Sequence, residues 1–149
     1  MRTVVTFESD KFNLTDEGQS SGDYGCYGQD LAKWLIDRLR AAGTETDSEP
    51  RQEDFGWYVN YSLGGQPFCA VIGNVGGESW FIVVERVTGF LRSLLGERHR
   101  HVPEAGVDIL HRVLSTSPEL RNIRWHKWEA FRRGGADTFS SGSASPEAL

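Results

Sequence analysis

The sequence predicts a two-layer α+β domain: an antiparallel meander sheet with two to three helices packed on one face. Two observations carry this reading. Between residues 57 and 85, three runs rich in aromatic and β-branched residues are separated by Gly64-Gly65 and Gly76-Gly77, which is hairpin spacing. Over 29–42 and 103–114 the apolar residues recur instead at intervals of three and four, the period of a helix with one buried face. In chain order the elements read about β-α-β-β-β-α-α-β.

TVVTFES, residues 3–9, is a β-branched and aromatic run that suits a first strand. KFNLTDEGQSSGD after it is polar and broken by glycine and serine, hence a loop. From Gln29 onward Leu31, Trp34, Leu35, Leu39 and Ala42 build one apolar stripe. Asp30, Lys33, Asp37 and Arg40 alternate in sign on the opposite face, each pair adding a few tenths of a kcal/mol. Gly43 stands where a left-handed residue ends a helix. TETDSEPRQE is a polar connection with room for a short edge strand.

In the meander, Trp57, Val59, Tyr61 and Leu63 share one strand face, and Tyr58, Asn60 and Ser62 share the other. The next strand covers 68–72, with Pro67 at its start, where a missing donor does least harm. SWFIVVE, residues 79–85, is almost continuously apolar and predicts a central strand covered on both faces. Thr88 can cap a short helix, GFLRSLL, that Gly96 ends. ERHRHV is a charged loop. Pro103 then suits the first turn of a helix carrying Val107, Leu110, Val113 and Leu114, stopped by Ser117-Pro118. LRNIRWHKW reads either as a last strand, with Ile123 and Trp125 on one face, or as a short amphipathic segment. The globular domain is expected over 1–133. Residues 134–149 are low in complexity and predict a disordered tail.

At 149 residues, 38% hydrophobic and 25% charged, the chain fits one soluble domain with a core of its own. No apolar run approaches the ~18 residues of a membrane span. The start has no apolar signal-peptide region, so a cytoplasmic location is expected, although export that needs no such signal leaves no mark. Cys26 and Cys69 are too few for a structural zinc site and read as buried thiols. Residues 1–85 hold 6 Lys/Arg against 14 Asp/Glu, and residues 86–149 hold 10 against 7. An acidic front half disfavours a nucleic-acid groove there, because phosphate binding needs clustered cations.

The residues give no positive sign of catalysis, cofactor or metal. His99 and His101 are two apart, and neither they nor His111 and His126 complete a ligand spacing. Glu53 and Asp54 resemble an acid/base pair, but strand neighbours point to opposite faces. Asp10, Asn13, Asp16, Glu17 and Asp23 lack the twelve-residue calcium loop. IGNVGGES is a hairpin turn that matches no phosphate-binding glycine motif.

Two surfaces stand out as candidates for partner binding. One is acidic: Glu8, Asp10, Asp16, Glu17 and Asp23 around the first loop, with Glu49, Glu53 and Asp54 ahead of the meander. The other is basic and aromatic: Arg121, Arg124, Lys127, Arg132 and Arg133 interleaved with Trp125 and Trp128. Such interleaving fits a track for single-stranded nucleic acid, an Arg/Trp hot spot for a protein, or a last element with its tryptophans turned inward.

GQDLAKWLIDRLRAAG, then EPRQEDFGW, then LRNIRW resemble a family of small uncharacterised bacterial α+β proteins. Its pattern is G-x-x-L-A-x-W-L-x-x-x-L-x-x-x-G, E-D-[FW]-G-W and a late R-x-[IV]-R-W, spanning residues 28–125 here. The resemblance implies no catalytic residues. Size and acidity are similar to those of immunity proteins of bacterial toxin systems and of secretion chaperones. The expected function is therefore a non-enzymatic protein-binding module whose acidic half steers a basic partner such as a toxin or effector. The alternatives are a small hydrolase or nuclease using scattered His, Asp and Glu residues, and a weaker one of nucleic-acid binding through 121–133.

Overall fold

The structure is a computed structural model that describes residues 1–12, 27–53, 56–87, 101–134 and 141–147, Glu53 by its backbone only. Seven strands and three helices are found in the described residues. They are β1 (Val4–Glu8), α1 (Gln29–Ala41), β2 (Glu45–Thr46), β3 (Arg51–Glu53), β4 (Gly56–Leu63), β5 (Gln66–Gly76), β6 (Ser79–Arg86), α2 (Glu104–Ser115), β7 (Arg121–His126) and α3 (Trp128–Arg132). The strands form one antiparallel sheet in the order β2-β4-β5-β6-β1-β7, and β3 also pairs with β4. This is the two-layer α+β fold that the periodicities predict.

The hairpin between β4 and β5 turns at Gly64 and Gly65, φ 55° and 80°, values that glycine adopts without strain. It sets Trp57 opposite Ile72 and Tyr61 opposite Phe68. Trp57, Val59 and Tyr61 are buried on the core face, as their alternation predicts. Gly56 is set by packing: a β-carbon there would lie 2.3 Å from the Ile72 carbonyl oxygen. Only glycine lets β4 start this close to β5.

Helix α1 buries Leu31, Ala32, Leu35, Ile36 and Leu39. It ends with Gly43 N–H on the Arg40 carbonyl (2.9 Å) and Thr44 N–H on the Leu39 carbonyl (3.0 Å), φ of Gly43 being 87°. That pair of bonds satisfies carbonyls the helix end would otherwise leave open. In α2, Val107, Leu110, Val113 and Leu114 are buried as expected. Gly106 lies so close to the sheet that a β-carbon would fall 2.4 Å from the Phe68 ring. The Tyr61 hydroxyl donates to the Gly106 carbonyl at 2.7 Å and fixes the same contact. Both long helices join one core with Val5, Phe7, Trp80, Ile82 and Trp125.

Two features were not expected. The N-terminal strand enters the interior of the sheet, between β6 and β7; Val4 to Phe7 are all buried, so β1 is covered on both faces, as β6 is. The second face carries its own small cover. Phe131 of α3 meets Phe81 at 5.1 Å and His126 at 6.4 Å, which places α3 opposite the two long helices. Residues 141–147, assigned by composition to a disordered tail, lie against the sheet: Ser143 and Trp125 exchange backbone bonds of 2.6 and 2.9 Å, and Arg2 N–H donates to the Pro146 carbonyl at 2.9 Å. These bonds are made by main chain, which any sequence can supply. The short helix expected at 89–95 lies outside the described residues.

Candidate interaction surface

One side of the sheet ends in β2 and β3, two- and three-residue strands that share the outer side of β4. Glu45 faces Ser62, Arg51 faces Tyr58 and Glu53 faces Gly56. The polar sequence between them cannot cover a core and loops outward. Asp47 ties this loop down: its Oδ2 accepts from Arg51 Nε and Asn60 Nδ2, both at 3.1 Å, and its N–H donates to the Asn60 carbonyl at 3.2 Å. The hydrogen bond and charge of Asp47 raise the pKa of the Arg51 guanidinium. Arg40 Nε donates to Thr46 Oγ1 at 2.8 Å, joining α1 to the edge. The result is an open polar cleft of about 310 Å³ lined by Glu45, Asp47, Asn60, Ser62 and Pro67.

Residues 45–54 carry five acids against one arginine. Glu45 and Glu49 are exposed. Glu8 and Asp10, the other acids expected at the surface, sit at the end of β1, the end of the sheet to which Glu53 also belongs. Four strand spacings separate them, about 19 Å at the usual interval. Asp16, Glu17, Asp23 and Asp54 lie outside the described residues.

The structure brings the acidic and the basic candidate surfaces into contact. Arg121 binds the carboxylate of Glu78 and lies 3.9 Å from that of Glu8. Its guanidinium pKa is raised, first by the hydrogen bond to Glu78. Arg132 pairs with Glu129 on α3 at 3.3 Å. Arg124 Nε donates to the Asn122 carbonyl oxygen of the side chain at 3.4 Å, and Lys127 is exposed ahead of α3. Trp125 is fully buried in the core, and Trp128 lies 6.5 Å from Phe131. Strand alternation therefore splits the interleaved motif: the tryptophan goes inward while Arg124 and His126 face the other side.

The histidines do not converge. His111 Nδ1 accepts from Trp125 Nε1 at 3.1 Å on the helical face. His126 is buried on the opposite face, where its Nε2 shares a 2.8 Å hydrogen bond with Thr6 Oγ1. His101 is exposed with φ 50°, and His99 lies outside the described residues. Among the described residues no three His, Cys, Asp or Glu side chains gather as a metal site would need. No helix among them is long and apolar enough to cross a membrane.

The environment of His126 is the feature that reading the sequence missed. The Gly142 backbone lies against its ring: a β-carbon at Gly142 would fall 2.6 Å from Cε1 and 2.8 Å from Nδ1. Burial, then the charges of Arg124 and Arg2, lower its pKa. The one available signal was a histidine beside a core tryptophan in a strand. Compared with protein-family models, curated proteins and solved structures, the chain finds no match.

Proposed function

We propose that the chain is a protein-binding module of the immunity or chaperone type, and that it receives a cationic partner on the β2–β3 edge. The observation that carries this reading is the concentration of five acids against one arginine over 45–54, a stretch that contains the short edge strands β2 and β3. Short, charged edge strands resist pairing with other copies of the chain, and a patch of one sign speeds encounter with its opposite. The basic candidate surface supports the reading less well, since Arg121 and Arg132 already hold carboxylates.

Co-expression with the products of adjacent genes tests it. One stoichiometric partner should be recovered, and the double reversal Glu45→Lys, Glu49→Lys should slow its association about tenfold or more at low salt. Both positions are exposed, so the melting temperature should hardly move. Recovery of no partner, or equal association of the reversed variant, overturns the proposal.

A further inference from the structure

The C-terminal segment 141–147 is attached in an unusual manner. Its ties include main-chain bonds at Ser143 and Pro146, with the Arg2 side chain also donating to the Glu147 carbonyl. Its residues are small or polar, and Pro146 alone of the seven is buried. Just before the Ser143 tie the chain passes beside the His126 ring at Gly142, where a β-carbon would fall 2.6 Å from Cε1 and 2.8 Å from Nδ1. The segment thus closes over a titratable group that is itself only 5% exposed.

Among the described residues the surroundings of that ring are one-sided in charge. From β1 comes the Thr6 hydroxyl, from α3 the uncharged Phe131 ring, and from the closing segment the bare Gly142 backbone. Among the described residues the charges acting on it are Arg124, on the same strand, and Arg2, ahead of β1. Both are positive, and Arg2 is also the residue that grips the segment at Pro146 and Glu147. A proton on His126 would put a positive charge on a buried ring that already feels the like charges of Arg124 and Arg2. Moving the segment away is the least costly relief, because it admits water without breaking the sheet.

We propose that His126 is a proton-operated latch: its neutral ring lets residues 141–147 close on β7, and its protonation releases them. Release bares the outer main-chain groups of Trp125, which Ser143 otherwise satisfies, and so opens the β7 edge for strand pairing. The direction follows from linkage. Burial and like charge hold the closed ring below the ordinary imidazole pKa, so the open form takes up the proton first as pH falls through about 6.5. Between the two pKa values the opening constant rises about tenfold per pH unit.

Amide hydrogen exchange of the full chain, corrected for intrinsic rates, tests the latch. From pH 7.5 to 5 the protection of the Ser143 and Arg2 amides should fall, about tenfold per unit below the midpoint, while that of Val59 and Ile82 in the sheet is kept. In His126→Gln, which keeps an amide group beside Thr6 but has no proton to gain, the protection should not depend on pH. Unchanged protection in the wild type, or equal loss in His126→Gln, overturns the proposal. Should that variant fail to fold, the ring titration of wild-type His126 by NMR decides: its midpoint must lie below that of an ordinary imidazole and mark the pH at which Ser143 protection stops falling, and a midpoint at the ordinary value overturns the latch.

Discussion

Arg121 and Glu8 stand opposite each other in the β1–β7 pairing, their side chains 3.9 Å apart, with Glu78 on the far side of the same guanidinium. The pairing forms where the β1–β7 register shifts between Thr6 and Glu8. One acid of the acidic candidate surface is thereby matched to one cation of the basic surface. All three side chains are between 41% and 53% exposed, so water and salt screen the group. Arg121→Ala should therefore leave the urea unfolding midpoint nearly unchanged.

Gly106→Ala should destabilise the protein, against the usual helix preference for alanine. On an open helix face the change would add roughly 1 kcal/mol. Here the new methyl would lie 2.4 Å from the ring of Phe68, which is fully buried and stacked on Tyr61 at 5.4 Å. Either the ring leaves its rotamer or α2 lifts from the sheet, at about 1–3 kcal/mol for such overpacking. Urea midpoints of the two proteins check the sign.

Tyr61→Phe removes the hydroxyl that donates to the Gly106 carbonyl and should cost about 0.5–1.5 kcal/mol, since that carbonyl lies within α2 and keeps its helical bond. The same residue gives stability an alkaline limit. Burial raises the folded pKa of Tyr61 far above that of an ordinary phenol, about 10. The unfolded chain therefore loses this proton near pH 10 while the folded chain keeps it, and stability falls as pH rises past that point. Below it the contribution is complete. Tyr61→Phe should show a smaller loss between pH 9 and 11.

What the sequence makes legible divides along the range of each interaction. Helix α1, the β4–β5–β6 meander and the inward side of β7 are local patterns, and Leu31, Leu35 and Leu39 or Trp57, Val59 and Tyr61 announce them by spacing alone. The place of β1 depends on pairing Val5 with Ile82 and with Trp125, contacts whose partners lie far away in the chain and leave no periodic trace. The interleaved Arg and Trp residues looked like one surface because the sequence is linear; alternation sends Trp125 to the core and pairs Arg121 with acids. The closing segment was least legible of all. Ser143 and Pro146 act through their backbones, and a serine-rich tail reads the same whether or not its main chain finds a partner.

Gly142→Ala separates the closing segment from the sheet without changing any charge. Gly142 has φ 104°, a conformation that side chains avoid, and its β-carbon would fall 2.6 Å from His126 Cε1 and 2.9 Å from the Trp125 carbonyl oxygen. The ring cannot retreat without giving up its bond to Thr6, and the carbonyl belongs to β7 itself, so the segment is what must move. Its main-chain bonds with Trp125 and Arg2 should be lost together, because Ser143 directly follows the strained residue. Since β1 to β7 pair independently of this segment, the main core should remain. The expected outcome is loss of Ser143 amide protection at every pH from 5 to 8, with the protection of Val59 and Ile82 in the sheet unchanged. Retention of that protection at neutral pH would show that the contact at Gly142 yields more readily than its geometry allows.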